Sequence, residues 1–415
     1  MAAGWFARKP SSNPSIVLLS GAVNGLLTRR RFNASLAFLA ASTALARRSA
    51  AEPSSSRLDV GLIEHDRVLV SATTALTAPI YTLNTIPSPH AAAQVFYSEL
   101  TPDPDPRAPD KSHRAFREHA TALRNASSTI AALTAAFVLT HEDRYALRAG
   151  RQLYAWFVDP ATRMVPDFTK AGFDPTSSTA TPGGVVDLVP FAEIARALSF
   201  LPDTAALSPP DLATTKAWFA ALVTWLNDDR NAFIAREAKD HTASSWLLLA
   251  SAVSRSLGDD ATLESCRHRF RRPTIRNQIN ALGEFPHEIT TAFPYRNTLL
   301  NFDLLATAAQ LLSTPFDNLW SFELEDGPGM RSVAAYLYPA IRDRAKWPQI
   351  ADPEYFHDLP GRRPALLFAG RAFDRPEYID LYRSLADPTN VPEAIAASFP
   401  ISQPLLFTAR APHGH

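Results

Sequence analysis

Asp240 and His241 stand together at the head of a helical pattern that runs on through Trp246. An imidazole there can take or give a proton near neutral pH, because histidine titrates between the carboxylates and the amines. The same pair can instead be a helix cap followed by a surface histidine, since aspartate caps helices by accepting from backbone N–H groups. Further on, Tyr295 and Arg296 sit between Pro294 and another helix start, a phenol beside a guanidinium. A phenol passes protons and a guanidinium holds developing negative charge; loop packing is the competing reading. His287 and Glu288 follow Pro286 in a turn, where they can receive ligand hydroxyls or simply be solvated. Asp240 with Glu288 also makes a carboxylate pair of the kind glycoside hydrolysis uses. Trp246 packs between helices more readily than it stacks on a ligand ring, and Tyr97 either lines a site or anchors the segment that carries it.

Other chemistries find little support. The 11 histidines show no paired helical spacing, and His413 and His415 lie at the chain's end, so no metal is expected. No glycine-rich phosphate loop and no nucleophile elbow occurs, which argues against a nucleotide-dependent enzyme or a serine hydrolase and implies no cofactor. The single cysteine, Cys266, excludes a disulfide scaffold and falls in a helical pattern as an inert residue.

The elements that must position these residues are helical. Glycine is scarce at 15 residues against 34 prolines, and Ala- and Leu-rich stretches dominate, which favours helices joined by proline-punctuated loops. Apolar residues recur at helical spacing over 112–139, and again after His141-Glu142-Asp143 until Pro160. The pattern resumes over 185–200, 211–227, 242–257, 261–282, 298–312, 330–341, 365–373 and 377–386. The intervening 159–184 is a long loop of the sort that often carries function. Asp143, Asp260 and Asp374 each open a helix just after an apolar helix ends, which suggests helix pairs laid side by side in a curved array.

Lys+Arg and Asp+Glu both total 41, so there is no basic excess of the kind that binds nucleic acid. Residues 28–46 carry Arg29-Arg30-Arg31-Phe32 and then an apolar run from Ala34 to Ala46, resembling a twin-arginine export signal with small residues for cleavage at 49–51. The run is short for a permanent anchor, so no membrane association is expected after its removal. The expected organisation is an extension and signal over 1–51, an extended Pro/Ser/Thr-rich arm over 52–111, a helical domain over 112–406 and a tail over 407–415. A periplasmic or secreted location follows. Oligomeric state is left open.

Four stretches carry a family likeness. Phe96-Tyr97-Ser98-Glu99 precedes Pro102-Asp103-Pro104, with Phe116, His119 and Leu123 beyond. Residues 156–166 read WFVDPATRMVP and lead to Gly184-Val185-Val186-Asp187. Lys239-Asp240-His241 runs to Trp246, then Gln278-Ile279, Pro286, Glu288 and Asn301. Gly329-Met330-Arg331 is followed by Lys346-Trp347-Pro348 and by 364–370. In this order and spacing, over about 95–406, they resemble the alginate-lyase-type domain of the polysaccharide lyases, including the family 5 enzymes.

The resemblance implies an all-α fold, an incomplete (α/α) toroid of paired helices with a central cleft. It also implies β-elimination of an acidic, uronic-acid polysaccharide such as alginate or glucuronan. That reaction needs the C6 carboxylate neutralised, the C5 proton removed and the leaving O4 protonated. The family uses an Asn-His pair, an arginine and a tyrosine. The pair falls on Asp240-His241, although an ungapped match through Lys239 and Trp246 puts Thr242 under the histidine. The arginine falls on Thr291 and the tyrosine on Asn297, so Tyr295 and Arg296 are the neighbours able to supply the missing groups. On this account His241, Tyr295 and Arg296 are catalytic and meet across one concave face. Asp240, Tyr97, Trp246, His287, Glu288 and Asn297 touch substrate. A non-catalytic glycan binder and a helical-toroid hydrolase are the alternatives.

The export signal makes a direct expectation: replacing Arg30 and Arg31 by Lys traps the protein in the cytoplasm, as cell fractionation will show. Unchanged export of that variant contradicts a twin-arginine signal.

Overall fold

The computed structural model describes residues 59–100, 115–202, 204–388 and 391–411. The export segment, Pro102-Asp103-Pro104 and the terminal His413 and His415 lie outside the described residues.

The domain is built from helices whose starts are written in the sequence. Asp59 caps α1, Val60–Thr77, accepting from the Gly61 N–H at 2.8 Å. Next come α2, Glu118–Thr140, and α3, Asp143–Phe157. Pro190 starts α4, Pro190–Leu198, because proline tolerates the first helical turn and not the interior. Ser208 caps α5, Pro209–Asp228, and Asp229 caps α6, Arg230–Glu237. Asp240 caps α7, His241–Leu257, which ends at Gly258 in the left-handed region, φ 74°. Asp259 caps α8, Asp260–Arg269. The remaining long helices are α9, Pro294–Leu312; α10, Met330–Arg342; α11, Pro364–Ala372; and α12, Pro376–Ser384. The sheet content described is one small antiparallel ladder, Phe173–Asp174 with Thr179–Ala180.

The packing order is that of a toroid. Helix α1 packs on α2, α2 on α4, α4 on α7, α7 on α9 and α9 on α11, forming a succession of inner helices. Helices α3, α8 and α12 lie against α2, α7 and α11 respectively as their outer partners. The helical turn Leu405–Thr408 reaches α1, α2, α4 and α9 together. The two ends of the array meet where the Tyr382 hydroxyl donates to Glu64 at 2.8 Å. The all-α toroid expected from the resemblance is the architecture found.

Several local expectations change. The arm over 52–111 contains helix α1, whose inward positions Val60, Glu64, Val68, Ala72 and Ala75 include a buried glutamate. That charge interrupts the apolar stripe that would have revealed the helix, and Glu64 is satisfied by Arg67 and Tyr382. Helix α6 was not expected at all. Residues 185–200 form a single turn, Gly184–Asp187, and then α4. Residues 261–282 yield α8, a π turn at Phe270–Thr274 holding Pro273, and the turn Ile275–Gln278. Asp374 is left-handed at φ 52°, in the turn before α12. Residue 407 is no tail, since Phe407 is buried in the core.

One buried ion pair ties late elements to the centre. Arg363 and Asp303 are both fully buried, Nη1 to Oδ2 at 3.1 Å. Asp303 also accepts the Ala365 N–H at 3.0 Å, and Arg363 donates to the Ser398 carbonyl. Removing one partner of such a pair strands the other charge. Asp303→Ala is therefore expected to cost about 3 to 5 kcal/mol in denaturant unfolding; a loss within experimental error contradicts this role.

Candidate active site

Helix α7 begins at His241 because Asp240 caps it, its Oδ1 accepting the Thr242 N–H at 2.9 Å. Opposite, Pro286 and His287 lead into a single turn, Glu288–Thr290, that drives the Glu288 side chain inward until it is fully buried. A buried carboxylate is costly unless it is hydrogen-bonded and faces positive charge. Glu288 meets that demand in one place. It accepts the His241 backbone N–H, lies 3.0 and 3.2 Å from His241 Nδ1, and accepts from Asn301 Nδ2 at 2.9 Å. Asn301 also donates to Gln278 Oε1 at 2.8 Å, and the Ser244 hydroxyl approaches Asn301 Oδ1 at 2.6 Å and Gln278 Oε1 at 3.1 Å. Gln278, Asn301 and Ser244 are all buried.

This network holds the imidazole by Nδ1, which assigns a proton to that nitrogen and leaves Nε2 for chemistry. The His241 side chain keeps 20% of its surface exposed, enough to meet a ligand. Burial works against its charged form, but the Glu288 carboxylate and its hydrogen bond outweigh that, Asp240 adds to them and Arg296 opposes. The net effect raises the His241 pKa above the ordinary histidine value.

Arg296 is the nearby cation. Its guanidinium stacks 3.8 Å from the Phe293 ring centre, Nε donates to Asn297 Oδ1 at 3.2 Å, and Nη1 reaches the Ala394 carbonyl at 3.5 Å. The Asp352 carboxylate receives the backbone N–H groups of Tyr295 and Arg296 at 2.8 and 2.9 Å, fixing the start of α9. Asn297 is nearly buried and donates to Thr291 Oγ1 at 3.1 Å. Thr291 and Asn297 thus brace Arg296.

The structure brings His241, Asp240 and Glu288 together, with Arg296 close enough for its charge to act on the imidazole and Asn297 bonded to Arg296; the remaining candidates lie apart. Tyr295 is fully buried, its hydroxyl donating to the Ala340 carbonyl at 3.1 Å and its ring packed on Trp347 and Phe356. It cannot meet a substrate, and burial pushes its hydroxyl further from ionisation. Glu288 is too deep to touch substrate and positions His241 instead. Asp240 serves as the cap, and Asn297 as a brace. Trp246 packs between helices, Nε1 donating to the Leu226 carbonyl at 2.9 Å. Tyr97 is fully buried, its hydroxyl on Glu99 at 2.6 Å, and anchors its segment among His90, Phe116 and Phe173. His287 is exposed on its turn. Sequence reasoning missed Gln278, Asn301 and Ser244 as supports for the histidine. Gln278 and Asn301 already stood in the family-like string, and that was the signal available. Among the described residues no cluster of His, Cys, Asp and Glu is arranged for a metal ion.

The alginate lyase family model matches residues 83–347, well over half of the chain. A solved structure of an alginate lyase from Bacteroides ovatus is similar at a TM-score of 0.69 and 18% identity, covering 86% of this chain and 98% of that one. Alginate lyase A1-III from Sphingomonas species A1 aligns at a TM-score of 0.49 and 14% identity, over 83% of this chain and 95% of that one. No curated protein sequence matches.

The burial of Tyr295 sets an expectation. Tyr295→Phe loses one buried hydrogen bond, so it is expected to cost about 1 kcal/mol of stability in urea unfolding. A variant as stable as the parent contradicts the Ala340 contact.

Proposed function

We propose, from the premise that the chain belongs to the alginate lyase family, that it is a polysaccharide lyase cleaving an acidic, uronate-containing polysaccharide such as alginate by β-elimination, with His241 moving the proton. The observation that carries this is the His241 imidazole, held by buried Glu288 through Nδ1 and placed near Arg296. Arg296 supplies the positive charge that the family draws from other positions, and neutralises the C6 carboxylate as charge builds on it. With the C5 proton so acidified, His241 Nε2 accepts it. The C5–H electron pair becomes the C4–C5 double bond, the C4–O4 bond breaks, and O4 departs with a proton. Where O4 leaves from the same face as the C5 proton, the imidazolium just formed is the acid nearest to it.

Two features weigh against hydrolysis. Glu288 is buried with its oxygens engaged, and Asp240 is occupied as a cap, so neither is placed as an acid or base on a glycosidic oxygen. The partner is therefore an acidic polysaccharide, and the place of work is the periplasm or the exterior, supported by the arginine cluster and apolar run at 28–46.

The reaction has its own signature, because elimination leaves an unsaturated uronate that absorbs in the ultraviolet. The purified protein is expected to generate that absorbance from alginate or another polyuronate, and His241→Ala to reduce the rate by roughly a hundredfold or more. As a base His241 must be deprotonated, and its pKa is raised, so activity rises with pH along a limb above the ordinary value of about 6.5. Glu288→Gln removes the anion and should move that limb to lower pH. Reducing ends without ultraviolet absorbance, or full activity in His241→Ala, would reject this function.

A further inference from the structure

A second cationic place lies on α2 and the residue before it. The Arg117 guanidinium is fixed by an ion pair to Asp187, itself nearly buried, and by the Glu99 carbonyl at 2.8 Å. One turn and two turns along, Thr121 and Arg124 present a hydroxyl and a second guanidinium on the same face. All three converge on one carboxylate, that of Glu393. Arg124 pairs with Glu393 Oε2, the Thr121 hydroxyl donates to the same oxygen at 3.0 Å, and Arg117 Nε lies 3.9 Å from Oε1. Arg117, Thr121 and Glu393 line a cavity of about 420 Å³ that Asn125 and Tyr81 also face, and Arg124 pairs with Glu393 at its edge.

Glu393 arrives from a single helical turn, Glu393–Ala396, far away in sequence. The next residue, Ala394, gives its carbonyl to Arg296. One short segment therefore lies against both the Arg117 and Arg124 pair and the cation of the candidate active site. The Glu393 side chain is 36% exposed, whereas that of Arg124 is 16% exposed. A pair open to water on the carboxylate side is weakly held and exchangeable. Arg117 is the fixed partner and the carboxylate the replaceable one, because Asp187 and the Glu99 carbonyl hold Arg117 whether or not Glu393 is there, while Arg124 keeps a hydrogen bond to the Thr121 hydroxyl at 3.1 Å.

We propose that Arg124 and Thr121, backed by Arg117, form a subsite for the carboxylate of a uronate unit, and that Glu393 occupies it in the free protein as an internal competitor. A polyuronate carries a carboxylate on every sugar, so a chain reacting at Arg296 has further carboxylates to place. Binding there displaces Glu393 and lifts the Glu393–Ala396 turn away from Arg296. This inference rests on the polyuronate reading above.

Calorimetric titration with a saturated oligomannuronate, on the full protein carrying His241→Ala to prevent cleavage, tests it. Adding Glu393→Gln removes the competitor and should tighten binding about fivefold, the scale of one partly exposed ion pair. Adding Arg124→Gln to that variant should abolish the gain and weaken binding below the starting value. Circular dichroism on each variant monitors the fold. If Glu393→Gln leaves affinity unchanged or weakens it while the fold is intact, the carboxylate merely fastens the chain and the subsite is rejected. The ultraviolet assay on the unaltered protein reads the lyase function separately. An active lyase whose Glu393→Gln affinity does not move overturns the subsite alone, and tighter binding by a protein that never cleaves overturns the lyase reading alone.

Discussion

The arrangement around the site depends on one buried carboxylate. Glu288 has no exposed surface, so its charge has to be met inside the protein. It is met by the backbone and ring of His241 and by the Asn301 amide, groups from the first turn of α7 and the middle of α9. That single demand registers two neighbouring helices against each other and sets the orientation of the imidazole. Gln278 and Ser244 complete the amide and hydroxyl chain, so Asn301 cannot turn away without leaving buried groups unpaired.

The toroid serves this contact by making α7 the hub. It packs against α4, α5, α6, α8 and α9, and so its first residue is held by the whole middle of the domain. Arg296 is steadied differently, by Asp352 at the backbone, Phe293 beneath the guanidinium and Asn297 alongside. On the proposed reading, an imidazole and a guanidinium held in place beforehand cost little rearrangement when charge develops, which is what an elimination through a carbanion-like state requires. Asp240, where the family has an amide, contributes through its cap and through its field, which favours the charged imidazole.

Most of the helices were legible because their apolar residues recur at helical spacing and their caps are aspartate, serine or proline. Helix α1 was not, since buried Glu64 breaks its stripe and is rescued by Tyr382, a partner over three hundred positions away. Within the site, His241 was legible as a helix-start residue with an exposed edge. Tyr295 was misjudged, although the pattern contained the correction: Tyr295, Leu299, Phe302 and Ala306 recur at helical spacing and are all fully buried. The role of Glu288 was hidden for another reason, because its partner lies 47 positions back and nothing local reveals the contact.

Nitrogen NMR of the His241 imidazole across the pH range measures the central contact most directly. The account requires Nδ1 to stay protonated throughout, Nε2 to titrate, and the midpoint to lie above that of an unperturbed histidine, with Glu288→Gln bringing it down. An Nδ1 that loses its proton at neutral pH, or a midpoint at or below the ordinary value in the unaltered protein, would contradict the claim that Glu288 makes His241 the working base.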